Sequence, residues 1–261
     1  MRVYAVSDIH ADYEENLAWI HSLSEQQYQE DVLILAGDVS DDMATLAAVF
    51  DSLRSRFREV MFVPGNHELW VQREDYDCSL RKFEAVNSLC ADHGIRTGPA
   101  EIGGTAFVPL LGWYDYSFAE PERKLRLGWR DFKACRWPSH LDSCTAINDH
   151  FLSLNESLLD INSTNVISYS HFVPGLAVMP PRIPQSRRTV YPVLGSEKLG
   201  EQVRRLGPDI HVYGHSHVNQ SVEIDGIRYI NNAFAYPSEQ RIARKQLHCV
   251  FQDNGDRDHV A

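Results

Sequence analysis

Val3-Tyr4-Ala5-Val6-Ser7-Asp8-Ile9-His10 is a short apolar run that ends in a carboxylate and an imidazole. Such a run, nearly continuous and rich in β-branched and aromatic residues, predicts a strand buried on both faces. The same grammar returns downstream. Val32–Ala36 leads into Gly37-Asp38-Val39-Ser40-Asp41, and Val60–Val63 into Gly65-Asn66-His67-Glu68. Val166–Tyr169 leads into Ser170-His171, and Ile210–Tyr213 into Gly214-His215-Ser216-His217; Ala106–Leu111 is a further strand without such a block.

Helix-period stripes separate the first strands. Leu17, Ile20 and Leu23 share one face, as do Met43, Leu46, Ala47, Val49, Phe50, Leu53 and Phe57. Leu80, Phe83, Val86, Leu89 and Cys90 form a third stripe that stops near Gly94. Alternating strands and helices imply an α/β fold with parallel pairing and right-handed crossovers. Near the C-terminus, Ser221–Ile224, Asp225-Gly226 and Ile227–Ile230 read as a hairpin, because Asp-Gly accepts positive φ. That hairpin predicts an antiparallel sheet packed on the mixed one.

With 261 residues, 43% apolar and 23% charged, the chain has the size and balance of one globular domain over 1–261. The polar stretch 253–261 reads as a frayed tail. Met1-Arg2 passes straight into the first strand, and no run approaches the roughly 18 apolar residues of a membrane helix. A cytoplasmic protein with no membrane association is expected. The five cysteines contain no Cys-x-x-Cys pair and are expected to be reduced. A net charge of −11 argues against a nucleic-acid partner that needs a broad basic surface. It leaves room for a small phosphorylated substrate, because bound cations supply local positive charge.

Open α/β sheets bind ligands beyond the carboxyl ends of their strands. Asp8, His10, Asp38, Asn66, His171, His215 and His217 are therefore delivered to one sheet edge. Oxygen and imidazole donors without thiolate suit two divalent ions, manganese first, with iron, zinc, cobalt or nickel as alternatives. Two ions roughly 3.5–4 Å apart need a shared carboxylate, and Asp38 is placed to bridge. A metal-bridging hydroxide would attack phosphorus in line, while His67, next to Asn66, protonates the leaving oxygen. Asp41 is the candidate orienter of His67, with Glu68 second; Asp41 also reads as the N-cap of the Met43–Phe57 helix.

These five blocks resemble the calcineurin-like metallophosphoesterase superfamily, whose pattern is D-x-H, G-D-x-x-D, G-N-H-[DE], a lone His after a strand, and G-H-x-H. The resemblance covers about residues 1–236. It implies a four-layer α/β/β/α sandwich with mixed sheets and the metal site at the carboxyl ends of the strands. It also implies that Asp8, His10, Asp38 and His217 hold one metal and Asp38, Asn66, His171 and His215 the other, with His67 as the acid. Serine/threonine protein phosphatases of the superfamily carry Arg beside the second block, where this chain has Asp42 and Met43. Ser170-His171-Phe172-Val173-Pro174 lacks a second histidine often seen there. Length, the tryptophan-rich middle and the Tyr-Pro after Asn231-Asn232 resemble small bacterial and plant members. The expected function is a dinuclear metal-dependent phosphoesterase, phosphodiesterase slightly ahead of phosphomonoesterase. The alternative is a non-catalytic scaffold of the same fold.

Two long irregular segments flank the blocks. Residues 112–140 interleave aromatics with Arg and Lys, and residues 172–192 carry five prolines with Arg182, Arg187 and Arg188. Long loops in a compact domain are commonly functional, so both are expected near the site. Residues 112–140 either contact substrate or cover the sheet edge, and Arg182, Arg187 and Arg188 read first as a solvated loop and second as a phosphate clamp.

Overall fold

The computed structural model describes residues 1–161 and 163–253; the expected tail beyond Asp253 lies outside them. Two sheets form its centre. The first contains β1 (Arg2–Val6), β2 (Val32–Leu35) and β3 (Glu59–Phe62), all parallel, with β10 (His248–Gln252) antiparallel to β1. The second has six strands in the order β4 (Ala100–Ile102), β5 (Thr105–Pro109), β6 (Asn165–Tyr169), β7 (Ile210–Tyr213), β9 (Ile227–Asn231) and β8 (Gln220–Ile224).

Alternation along each strand explains the layering. In β2, Leu33 and Leu35 face the cluster that includes Ile20, Leu46, Val49, Phe50 and Val86. These come from α1 (Glu14–Ser22), α2 (Met43–Arg54) and α3 (Ser79–Asp92). Val32 and Ile34 point the other way, into a cluster with Phe107, Ile167, Ile210 and Ile230 of the second sheet. That sheet's far face, including Ala106, Val108 and Val166, packs against Ile147, Phe151, Leu199 and Val203. These belong to α6 (Cys144–Asn155) and α7 (Glu197–Leu206). The result is the α/β/β/α sandwich, with both faces of each sheet covered, which is why the strands read as continuous apolar runs.

Five details depart from the sequence reading. The hairpin turn at Asp225 (φ 52°) and Gly226 (φ 80°) forms as expected, but β9 pairs in parallel with β7. The hairpin therefore extends the second sheet instead of making a separate antiparallel one. The cap of α2 is Asp42, whose carboxylate accepts the Thr45 N–H at 2.8 Å, and not Asp41. That helix stops at Arg54, short of Phe57. The edge strands β4 and β10 are short and half-exposed, and so lacked a strong apolar signature. The segment 112–140 is not wholly irregular, since it holds the short helices α4 (Arg123–Gly128) and α5 (Asp131–Ala134).

Candidate metal centre

Each ligand block follows a strand end on the same edge of the two sheets, and the backbone there is bent out of its ordinary range. Asp8, His10, Asp38, His215 and His217 all have positive φ, between 47° and 65°. Non-glycine residues in this left-handed region cost free energy and cluster where a site demands a particular side-chain direction. Glycines make the crowding feasible. A Cβ on Gly37 would lie 2.5 Å from His171 Nδ1, and one on Gly65 would lie 2.2 Å from Asp38 Oδ1.

The donors converge in three overlapping groups: Asp8, His10 and His217; His10, Asp38 and His67; Asp38, His171 and His215. Hydrogen bonds on the outer ring nitrogens set the tautomers. His171 Nδ1–H donates to the Ala36 carbonyl at 2.9 Å, and His215 Nε2–H donates to the Val193 carbonyl at 2.9 Å. The remaining nitrogens, His171 Nε2 and His215 Nδ1, then face each other as lone pairs at 3.0 Å. Asn66 Oδ1 lies 3.1 Å from His171 Nε2 and Asp38 Oδ2 lies 3.4 Å from it. A cluster of acceptors aimed at one point calls for a cation. On the other side, His217 Nδ1 bonds Glu239 Oε2 at 2.7 Å. That leaves His217 Nε2 facing His10 Nε2 at 3.1 Å and Asp8 Oδ1 at 3.3 Å. The donor set therefore fits a pair of divalent ions.

Proton affinities report the same demand for positive charge. Burial pulls His171 down, yet Asp38 beside it carries the imidazole up to about 9. Burial likewise opposes His217, but Asp8 and Glu239 raise it to about 10. His215, buried and next to His171, falls to about 3. Burial raises the Asp38 carboxyl, but His171 and His67 hold it well below the usual carboxylate range.

Around the ligands lies a cleft of about 550 Å³. His67, Asp41, Arg73, Trp129, Arg130 and Tyr236 are among its walls. No hydrogen bond joins Asp41 to His67. The Asp41 carboxylate lies 3.2 Å from Arg73 Nε, and burial together with Asp12 raises its proton affinity. Glu68 is turned away from His67 altogether. It is fully buried, and its carboxylate accepts backbone N–H groups of Asp38, Val39, Ser40 and Gly65.

Three residues of the site carried no recognised signal in the sequence. Asp131, 2% exposed, accepts from Asn66 Nδ2 at 2.9 Å, Trp70 Nε1 at 2.7 Å and Trp129 Nε1 at 2.7 Å. It thereby fixes the amide of Asn66 with its oxygen toward the metal position. Trp70 stacks on His67, and Glu239 orients His217. The spacing His67-Glu68-Leu69-Trp70 was the available clue for Trp70; Asp131 and Glu239 sit far along the chain, and local pattern does not reveal such partners.

A family model for calcineurin-like phosphoesterases matches residues 1–219. The chain belongs to the calcineurin-like phosphoesterase family. It is a metal-dependent hydrolase of phosphate esters, and the family implies divalent ions at a dinuclear site. It is 27% identical over 264 residues to the [acyl-carrier-protein] phosphodiesterase PptH of Mycobacterium tuberculosis, covering 92% of this chain and 79% of that protein. The crystal structure of phosphopantetheinyl hydrolase (PptH) from the same organism superposes with a TM-score of 0.80. That alignment has 23% identity over 97% of this chain and 96% of the other, a likeness of fold. No helix among the described residues is long and apolar enough to cross a membrane.

Proposed function

We propose that this phosphoesterase cleaves a phosphodiester whose one arm is carried by a protein, as in a phosphopantetheinylated carrier. The expectation of a small free substrate is thereby widened. The observation that carries the reading is the 27% identity to an acyl-carrier-protein phosphodiesterase across 92% of the chain. The cleft supports it. Trp129, Val190 and Leu194 give one wall an apolar surface suited to an extended arm. Arg73 and Arg130 line the cleft, although the chain carries −11 overall. Among the described residues, Arg123, Lys124, Arg130, Arg187 and Arg188 are exposed and in no ion pair. Leu127, on the same helix as Arg123, is 62% exposed. Exposed basic side chains on the segments that lead into Trp129 and carry Val190 suit an acidic protein surface.

Asp8, His10, Asp38 and His217 would hold one divalent ion and Asp38, Asn66, His171 and His215 the other, with manganese the first candidate. When bound, such ions polarise the phosphoryl oxygens and acidify water toward neutrality. Opposite, His67 donates a proton to the departing oxygen, so that a water adds to phosphorus, one P–O bond breaks and an alcohol leaves. Asp41 lines the same cleft as His67 and pairs with Arg73 at 3.2 Å.

Mass spectrometry of a phosphopantetheinylated carrier protein, incubated with the Mn²⁺-loaded enzyme, tests the reading. Loss of the arm is expected. An intact carrier together with turnover of bis(p-nitrophenyl) phosphate would restrict the substrate to small diesters. Turnover of p-nitrophenyl phosphate alone would overturn the diesterase reading.

A further inference from the structure

The imidazole of His67 has no hydrogen bond to either ring nitrogen among the described residues; its nearest carboxylate oxygen is Asp38 Oδ2, at 3.8 Å. Something else must aim it. His67–Leu69 form a 3₁₀ turn closed by Trp70 N–H donating to the His67 carbonyl at 3.1 Å. In such a turn the side chains at i and i+3 eclipse. His67 and Trp70 accordingly lie face to face, centroids 3.7 Å apart and planes 28° apart. On its other side His67 meets the edge of His10 at 4.6 Å, and His10 stacks on Tyr236 at 4.3 Å. The indole is itself pinned, since Trp70 Nε1–H donates to buried Asp131.

We infer that Trp70, locked by Asp131, is the positioning residue of His67, replacing a hydrogen-bonded carboxylate with a stacked ring. The stack fixes the plane of the imidazole while leaving both nitrogens free, one of them toward the leaving oxygen. An indole face also attracts a positively charged ring through its quadrupole. Asp131 couples this device to the metal site, because its Oδ1 holds both the Trp70 and the Asn66 donors.

The inference rests on His67 being the proton donor, and leaving-group dependence tests the two separately. A p-nitrophenolate leaves without a proton, whereas an alkoxide needs one. The readout is the ratio of kcat for a dialkyl phosphodiester, which can lose only an alcohol, to kcat for a bis-aryl diester, with metal content measured alongside. His67→Ala is expected to lower the ratio about 100-fold or more, in the range of general acid catalysis. Trp70→Leu is expected to lower it about tenfold or more with both metals retained, and Trp70→Phe, which keeps a ring but loses the N–H, by less. Equal loss on both substrates in Trp70→Leu would reduce Trp70 to packing and overturn the inference. If Trp70→Leu does not fold, Trp70→Phe decides: an unchanged ratio overturns it. An unchanged ratio in His67→Ala would instead overturn the acid role of His67.

Discussion

Glu68 accepts the backbone N–H of Val39 at 2.6 Å, across 29 residues of chain, with no exposure to solvent. The same carboxylate takes the N–H groups of Asp38 at 3.0 Å and Gly65 at 2.7 Å, so one buried acid ties the loop after β2 to the loop after β3. Those loops deliver Asp38 and Asn66. Burial and the nearby Asp38 raise the proton affinity of Glu68, while the backbone donors oppose that rise.

Glu68→Gln places an NH₂ group against backbone donors. We expect a loss of about 2–4 kcal/mol in unfolding free energy, the penalty for stranding buried charged or polar partners. Metal affinity should fall with it, since the ligands lose their support. Denaturant unfolding and metal titration check this; wild-type behaviour in both would show that Glu68 braces nothing.

Gly65→Ala adds a Cβ 2.2 Å from Asp38 Oδ1 and 2.8 Å from His171 Cε1. Both neighbours are proposed ligands of the same ion, and neither can retreat without leaving it. The expected outcome is a fall of about 10–100-fold in metal affinity, comparable to losing a supporting partner. Stoichiometric metal in the purified variant, with unchanged affinity, would contradict the close approach.

Much of this centre was legible because its chemistry is local in sequence. Asp8-Ile9-His10 and Gly214-His215-Ser216-His217 each pack strand end and donors into a few residues, so apolar period and residue type sufficed. The supports were not legible for the opposite reason. Asp131 meets Asn66 across 65 residues, and Glu239 meets His217 from a turn with no pattern of its own. Glu68 was visible as an acid beside His67, but its direction was not. A residue in a 3₁₀ turn points where the turn sends it, here toward the Asp38 loop. The pairing of the hairpin with β7 likewise depends on long-range register, which a two-residue turn does not specify.

Chelation should abolish hydrolysis and also lower thermal stability. The cation-demanding contacts, such as His171 Nε2 to His215 Nδ1 at 3.0 Å, become repulsive or must take up a proton. A site held at about 100 times its dissociation constant contributes about 2.7 kcal/mol to the native state, and that contribution goes with the ion. Mn²⁺ should restore both activity and melting temperature. Full turnover in the presence of excess chelator would remove the metal from the reaction.

Acid stability should depend on His211, which is buried beneath the site but is no ligand. Its Nδ1 accepts from the Ser168 hydroxyl at 2.7 Å, and its Nε2–H donates to Ser170 Oγ at 3.0 Å. Ser170 in turn spends its proton on the Phe172 carbonyl at 2.9 Å. This is a network for a neutral ring, and burial lowers the folded-state value from 6.5 to about 3. The unfolded chain therefore binds a proton between those values while the folded chain does not, so stability falls as pH drops below 6.5 and levels off near 3. The slope from this one group is at most about 1.4 kcal/mol per pH unit, or about 2 kcal/mol by pH 5. His211→Asn should be less stable at neutral pH yet show a flatter decline between pH 6.5 and 5 in urea unfolding. Parallel profiles for wild type and variant would mean that His211 titrates alike in both states and that other histidines set the acid limit.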